Sequence, residues 1–178
     1  MNDFATLARI DRLEAENTIR KIVARYFRIC DQLGPDTLPS ELGELGELFD
    51  PDAIWEGKGR YAEAFGTMKG RAAIVEMIRG YCGPEPHFAM TAHFCTSEDI
   101  AVDGDQASGS WMMLQATTYA DGRADLRSAR LQIEFARERR VWRIRRFTTE
   151  NIFSRRVDHW NDAATIPVPI DSHAGAAR

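Results

Sequence analysis

Two residues in this chain carry acid–base chemistry in settings unusual for them. Asp31 follows Cys30 at the end of an apolar helical stripe. A carboxylate is disfavoured there, because the helix dipole is negative at its C-terminus. It reads either as a turn residue bonded to its own backbone or as a functional carboxylate. His93 sits among Phe88, Met90, Phe94 and Cys95, and reads either as a satisfied core side chain or as a base. As a pair they make chemical sense: the carboxylate would fix one imidazole tautomer and stabilise the imidazolium. The other ring nitrogen could then remove a proton near neutral pH. Tyr26, five residues before Asp31, shares the apolar stripe. It is either core or a hydroxyl that polarises a substrate carbonyl.

Further candidates would line a binding site. Trp55 reads as core or pocket wall, and Thr117, Arg130 and Gln132 lie on strands that could face a ligand. Alternation tells which strand residues share a face but not which face is concave. A buried Arg130 would suit a carboxylate or enolate, whereas on the convex face it would be an interface residue. His87, His159 and His173 have no partner spacing and read as surface residues. The histidines are too spread for a metal site and no H-E-x-x-H occurs. Three scattered cysteines without a C-x-x-C argue against zinc or thioredoxin chemistry. With no P-loop, G-x-S-x-G or G-x-G-x-x-G, neither a metal nor a cofactor is expected.

The elements that must position these groups change character along the chain. Leu13, Ile19, Ile22, Val23, Tyr26, Phe27 and Cys30 recur at helical spacing, which predicts a helix from Leu7 to about Leu33, stopped by Gly34-Pro35. A short helix is expected from Leu42 to Phe49, a strand over Ala53–Glu56, a loop from Gly57 to Gly70, and a helix from Arg71 to Tyr81. Afterwards the pattern is extended: Phe88–Val102, Ala107–Tyr119, Arg127–Arg137 and Val141–Phe153. Asp103-Gly104-Asp105 and Asp121-Gly122 mark hairpin turns. Leu131, Ile133 and Phe135 alternate with Arg130, Gln132 and Glu134, as in a sheet with one dry face. Helices followed by an antiparallel meander predict an α+β fold: one domain over residues 1–160, with a curved, mostly antiparallel sheet wrapped around the long N-terminal helix. Residues 161–178 are expected to be an irregular tail.

Composition sets the class of partner. The 178 residues are 44% hydrophobic and 28% charged, which excludes wholesale disorder and low-complexity filaments. A net charge of −4 argues against nucleic acid. The arginines concentrated between Arg123 and Arg156 read as solvated strand edges and subunit contacts. No apolar run reaches the length that spans a bilayer, and Met1–Ile10 has no secretory pattern. A cytoplasmic protein with reduced thiols is expected.

An ordered set of segments then suggests a relationship. Ile19-Arg20-Lys21-Ile22-Val23-Ala24-Arg25-Tyr26, Asp31, Leu45–Asp52, Gly70-Arg71-Ala72-Ala73-Ile74, Thr91-Ala92-His93, Ile100–Asp105 and Val141-Trp142-Arg143-Ile144 together resemble the SnoaL-like branch of the nuclear-transport-factor-2-like superfamily, over about residues 9 to 153. Scytalone dehydratase and ketosteroid isomerase belong to that superfamily. The resemblance implies a cone-shaped, cystatin-like α+β barrel with a deep pocket, usually a homodimer or homotrimer. It implies that Asp31 and His93 are pocket acid–base residues and Tyr26 a pocket hydroxyl. The second histidine of scytalone dehydratase falls where this chain has Gln115, Ala116 or Thr117, and an asparagine falls near Arg130, so scytalone itself is not the expected substrate. The expected activity is a cofactor-independent lyase or isomerase, dehydratase-like, acting on a small hydrophobic cyclic ketone or hydroxy-ketone such as a polyketide or steroid fragment. The alternatives are a ligand-binding or assembly subunit on the same fold and an epoxide hydrolase of the limonene-epoxide type, which needs an Asp–Arg–Asp set.

Overall fold

A computed structural model describes residues 2–158 and Trp160; the expected tail, His159 and His173 lie outside the described residues. The first helix, α1, runs from Asn2 to Cys30. Its buried stripe is Ala15, Ile19, Ile22, Val23, Tyr26 and Phe27, the i, i+4, i+7 pattern of one helical face. Leu13, expected on this stripe, is instead exposed, as are Phe4, Leu7 and Ile10. The first half of α1 therefore carries apolar groups that nothing among the described residues covers. The helix ends at Cys30, three residues short of the expected boundary, in a turn in which Asp31 N–H donates to the Phe27 carbonyl at 2.8 Å.

Two further helices, α2 (Pro39–Glu47) and α4 (Arg71–Arg79), flank the first strand, β1 (Phe49–Lys58). Between β1 and α4 the expected loop holds a one-and-a-half-turn helix, α3 (Arg60–Phe65), and a three-residue strand, β2 (Thr67–Lys69). Gly59, Gly66 and Gly70 all have positive φ, so each break falls on a residue without a Cβ penalty. Four long strands follow: β3 (Phe88–Asp103), β4 (Gln106–Tyr119), β5 (Ala124–Glu138) and β6 (Val141–Val157).

The sheet order is β2-β1-β6-β5-β4-β3. β1 runs parallel to β6 and the other neighbours are antiparallel. The concave face carries Trp111, Met113, Leu131, Ile133, Phe135 and Phe147, all nearly inaccessible, and α1 lies against it. The expected turns occur, with φ of 58° at Gly104 and 83° at Gly122. The third reversal is different: Arg139 and Arg140 both have positive φ, 50° and 67°, a conformation Asn-Gly adopts more cheaply.

Several strand arginines, among them Arg130, Arg145 and Arg155, are solvent-exposed as expected, while others make contacts within the chain. Arg137 bonds Asp105 and Asp11 and covers Trp142, Arg146 bonds Glu56, and Arg143 faces Glu47. These guanidiniums fasten helices and neighbouring strands within one chain. Among the described residues no helix is long and apolar enough to cross a membrane.

Gly109 shows how tightly the concave face is packed. A Cβ there would lie 2.3 Å from Cη2 and 2.6 Å from Cζ3 of Trp111. Gly109→Ala should therefore lower stability by about 1–3 kcal/mol, the usual cost of overpacking, and shift tryptophan fluorescence as the indole moves; chemical denaturation followed by fluorescence checks both.

Candidate active site

The end of α1 meets the edge strand at one carboxylate. Asp31 Oδ1 lies 2.5 Å from His93 Nδ1, and Asp31 Oδ2 accepts the His93 backbone N–H at 3.1 Å. Phe27, one turn back on α1, packs against the imidazole with ring centroids 4.8 Å apart. The ring is therefore held by a hydrogen bond on one side and an aromatic face on the other. Because a carboxylate accepts, Nδ1 carries the proton and Nε2 presents its lone pair. Nε2 meets no protein donor or acceptor among the described residues, and it is not enclosed.

A strand defect aims His93. From the β3–β4 turn back to Asp99 the register is regular, and Ile100 and Val102 pack toward the core. Between Thr96 and Asp99 the register shifts by one residue, with Ser97 at φ 54°. That bulge transfers the odd-numbered residues to the concave side. His93 then faces inward, and Phe94, which strict alternation would bury, is 58% exposed. Glu98 within the bulge accepts a hydrogen bond from Arg20 Nε at 2.6 Å, which fastens the defect to α1.

His93 borders a cavity of about 190 Å³. Its walls are mostly apolar and aromatic, among them Phe27, Leu33, Trp55, Met113, Leu131 and Phe147. Trp55 stacks on Phe147 at 5.9 Å and 7°, and its indole N–H donates to the Tyr26 hydroxyl at 3.2 Å. Burial, with a smaller contribution from Cys30, pushes the Tyr26 hydroxyl well above the usual phenol range. The phenol keeps its proton and remains a donor. The Cys30 residue is only partly covered, but its sulfur is enclosed; burial pushes the thiol up to about 12, so it is no nucleophile. The exposed residue Cys95 has its thiol pushed up to about 12 as well, by burial and then by the Asp31 carboxylate.

The structure brings His93, Tyr26 and Trp55 together at this cavity, and Asp31 is bonded to His93 from outside it. Thr117 shares the inward face of β4 with Gln115 and Tyr119, but its short side chain does not border the cavity; it is fully buried and its hydroxyl is unpartnered. Arg130 and Gln132 are corrected: both are exposed on the outer face of β5, and Arg130 lies 3.6 Å from Glu150. Their inward neighbours, Ala129, Leu131 and Ile133, are buried. The polar residue of β5 that borders the cavity is Arg127. Gln115, Tyr61, Tyr81, Tyr119, Thr149 and the exposed His87 also border the cavity. Arg127 was findable, since it has the parity of Leu131, whereas Tyr61 sits on the helix hidden in the expected loop. Among the described residues no cluster of His, Cys, Asp and Glu could hold a metal ion.

The chain belongs to the SnoaL-like family, whose domain model matches residues 11–148. Its fold is also that of solved structures. The LinA-type3 hexachlorocyclohexane dehydrochlorinase of Novosphingobium barchaimii superposes with a TM-score of 0.70 at 18% identity, over 88% of this chain and 99% of that one. An NTF2-like protein with a cystatin-like fold from Novosphingobium aromaticivorans gives 0.66 at 26%, over 85% and 92%. A scytalone dehydratase candidate from the same species gives 0.66 at 17%, over 90% and 97%. The comparison with curated proteins finds no match.

The raised thiols make a prediction about alkali. Cys30 ionises near 9.0 when unfolded and near 12 when folded, so between those values the native state binds the extra proton. Stability must then fall as pH rises above 9, by up to about 1.4 kcal/mol per pH unit for this buried thiol. Thermal melts between pH 8 and 11 should show the fall, and Cys30→Ala should make it shallower.

Proposed function

We propose that this SnoaL-like protein is a cofactor-independent lyase or isomerase that removes a proton from a small hydrophobic cyclic ketone or hydroxy-ketone. The observation that carries the reading is the 2.5 Å contact between His93 Nδ1 and Asp31 Oδ1, with the opposite ring nitrogen unpartnered beside an apolar cavity. The pair supplies the oriented base, and the dry wall keeps electrostatic effects large.

In this reading His93 Nε2 takes the proton next to the carbonyl, and the electron pair moves to the carbonyl oxygen as an enolate. The Tyr26 hydroxyl or a bound water donates to that oxygen. Asp31 stabilises the imidazolium. The enolate then re-forms the carbonyl while the C–O bond to the leaving hydroxyl breaks, and the imidazolium proton goes out with it as water. Return of the proton to a different carbon would give isomerisation instead. Eliminations also stand in the names of the dehydrochlorinase and of the dehydratase candidate, which supports the reaction class. The epoxide-hydrolase alternative needs two aspartates around an arginine. Here Arg127 is paired with Asp125 alone, and Asp31 is bonded to His93.

Proton abstraction can be followed without full turnover, as hydrogen–deuterium exchange at the α-carbon of cyclic ketones in D2O. His93→Ala should slow it by roughly 10²–10⁴-fold, the usual contribution of a positioned base, with Asp31→Asn also impaired and the melting temperature of each variant recorded as a control. Undiminished exchange by His93→Ala sinks the mechanism.

The same reading expects a homodimer or homotrimer. Phe94 and Leu114, paired across β3 and β4, and Phe4, Leu7, Ile10 and Leu13 along α1 are exposed, and contiguous apolar surface of this kind is usually covered. Light scattering on the purified protein should give two or three times the 20.1 kDa chain mass.

A further inference from the structure

His93, Gln115 and Arg127 occupy one transverse row of the sheet. His93 pairs with Gln115 across β3 and β4, and Gln115 pairs with Arg127 across β4 and β5. All three border the same cavity. Two strand spacings separate the ends of the row, roughly 10 Å between backbones. The base and the guanidinium therefore reach the one cavity from strands that are not neighbours, and most of its other walls are apolar.

Arg127 is held in a fixed pose. Its Nε and Nη2 donate to Asp125 Oδ2 at 2.9 and 2.6 Å, and Nη2 also donates to the Tyr119 hydroxyl. Tyr119 in turn bonds Asp125 Oδ2 at 3.1 Å. These contacts use one edge of the guanidinium. Nη1 has no protein partner among the described residues, and it is not enclosed. A side chain serving only to neutralise Asp125 would not need to border an apolar cavity with an unused donor. The surroundings are also basic. On the far side of Arg127, a surface cleft is lined by Arg123, Arg155 and Arg156. With Arg127 these make four guanidiniums, against Asp125 and the Arg123 partner Asp121. Such a field draws anions toward the site.

We infer that the substrate carries a carboxylate as well as a ring, and that Arg127 binds the carboxylate through Nη1 while the reacting carbon lies at His93. This rests on the His93 reading for the chemistry but not for the binding. Asp125 and Tyr119 act as positioning residues: they orient the guanidinium and temper its charge, so the site accepts an anion without holding it too tightly for release.

The test uses two probes of nearly equal shape, benzoate and benzamide, titrated into the whole protein by calorimetry, with Trp55 fluorescence as a second signal. Benzoate should bind about tenfold more tightly, since only its anion adds an ion pair to the hydrogen bond from the guanidinium. Arg127→Met should abolish the preference by weakening benzoate more than benzamide. Asp125→Asn should widen it, a gain that a purely structural Arg127 would not give. Because Arg127→Met leaves Asp125 unpaired and could unfold the wall, the double variant Asp125→Asn, Arg127→Met is measured beside it, and it too should show no preference. Equal affinity for the two probes in the wild type, failure of benzoate to bind, or a preference that survives in a folded variant lacking Arg127 overturns the inference. The readout is binding, so each of these results is separate from exchange by His93→Ala, which tests the base.

Discussion

Asp31 makes two hydrogen bonds with one carboxylate, and the geometry of the molecule turns on them. One oxygen takes the backbone of β3 and the other takes the side chain of the same residue. The end of a 29-residue helix is thereby fixed to the edge strand. Two other charged contacts hold the helix along its length: Arg20 to Glu98 at the bulge and Asp11 to Arg137 near the β3–β4 turn. Between these ties the apolar stripe of α1 settles onto the concave face. Charge–charge contacts at a surface contribute little stability. Their effect here is placement, while burial of Ile19, Leu131, Ile133, Phe135 and Phe147 supplies the free energy.

Two local irregularities shape the cavity. The bulge around Ser97 turns β3 over, so that His93 rather than Phe94 faces inward. The glycine-bounded segment from Gly59 to Gly70 folds α3 beside the cavity, where Phe65 packs edge-on against Trp55 and Tyr61 against Phe65. β4 and β5 keep one register throughout and only have to alternate. Alternation sets Gln115 and Arg127 in line with His93 and leaves Arg130 outside.

Much of this architecture is legible in the chain itself. Helical spacing from Ile19 to Cys30 locates α1, because one face of a helix must be apolar to dock. Asp-Gly at residues 103–104 and 121–122 locates two reversals, since glycine adopts positive φ without strain. The third reversal is not legible as a turn motif: Arg139 and Arg140 carry no such signal, and the long β5–β6 ladder imposes their conformation. The pairing of Asp31 with His93 is suggested by residue type and position, but its distance depends on the bulge, and an extra residue in a strand leaves no mark in a hydrophobic pattern. Arg130 and Gln132 were candidates for the inner face only because the pattern does not say which face is concave. Once Leu131, Ile133 and Phe135 are seen as core, the answer follows, and Arg127 joins them. Residues 57–70 look like a loop because four glycines mask six helical residues.

His93 borders two spaces, the inner cavity and an outer groove, whereas Asp31 borders only the groove. The carboxylate thus keeps bulk water on one side while its hydrogen bond points toward a dry interior. An ion carried fully into an apolar medium would lose its hydration, at a cost of several kcal/mol. The imidazole works here as an insulator with one conducting contact: the anion stays solvated outside, and only its orienting influence is delivered within.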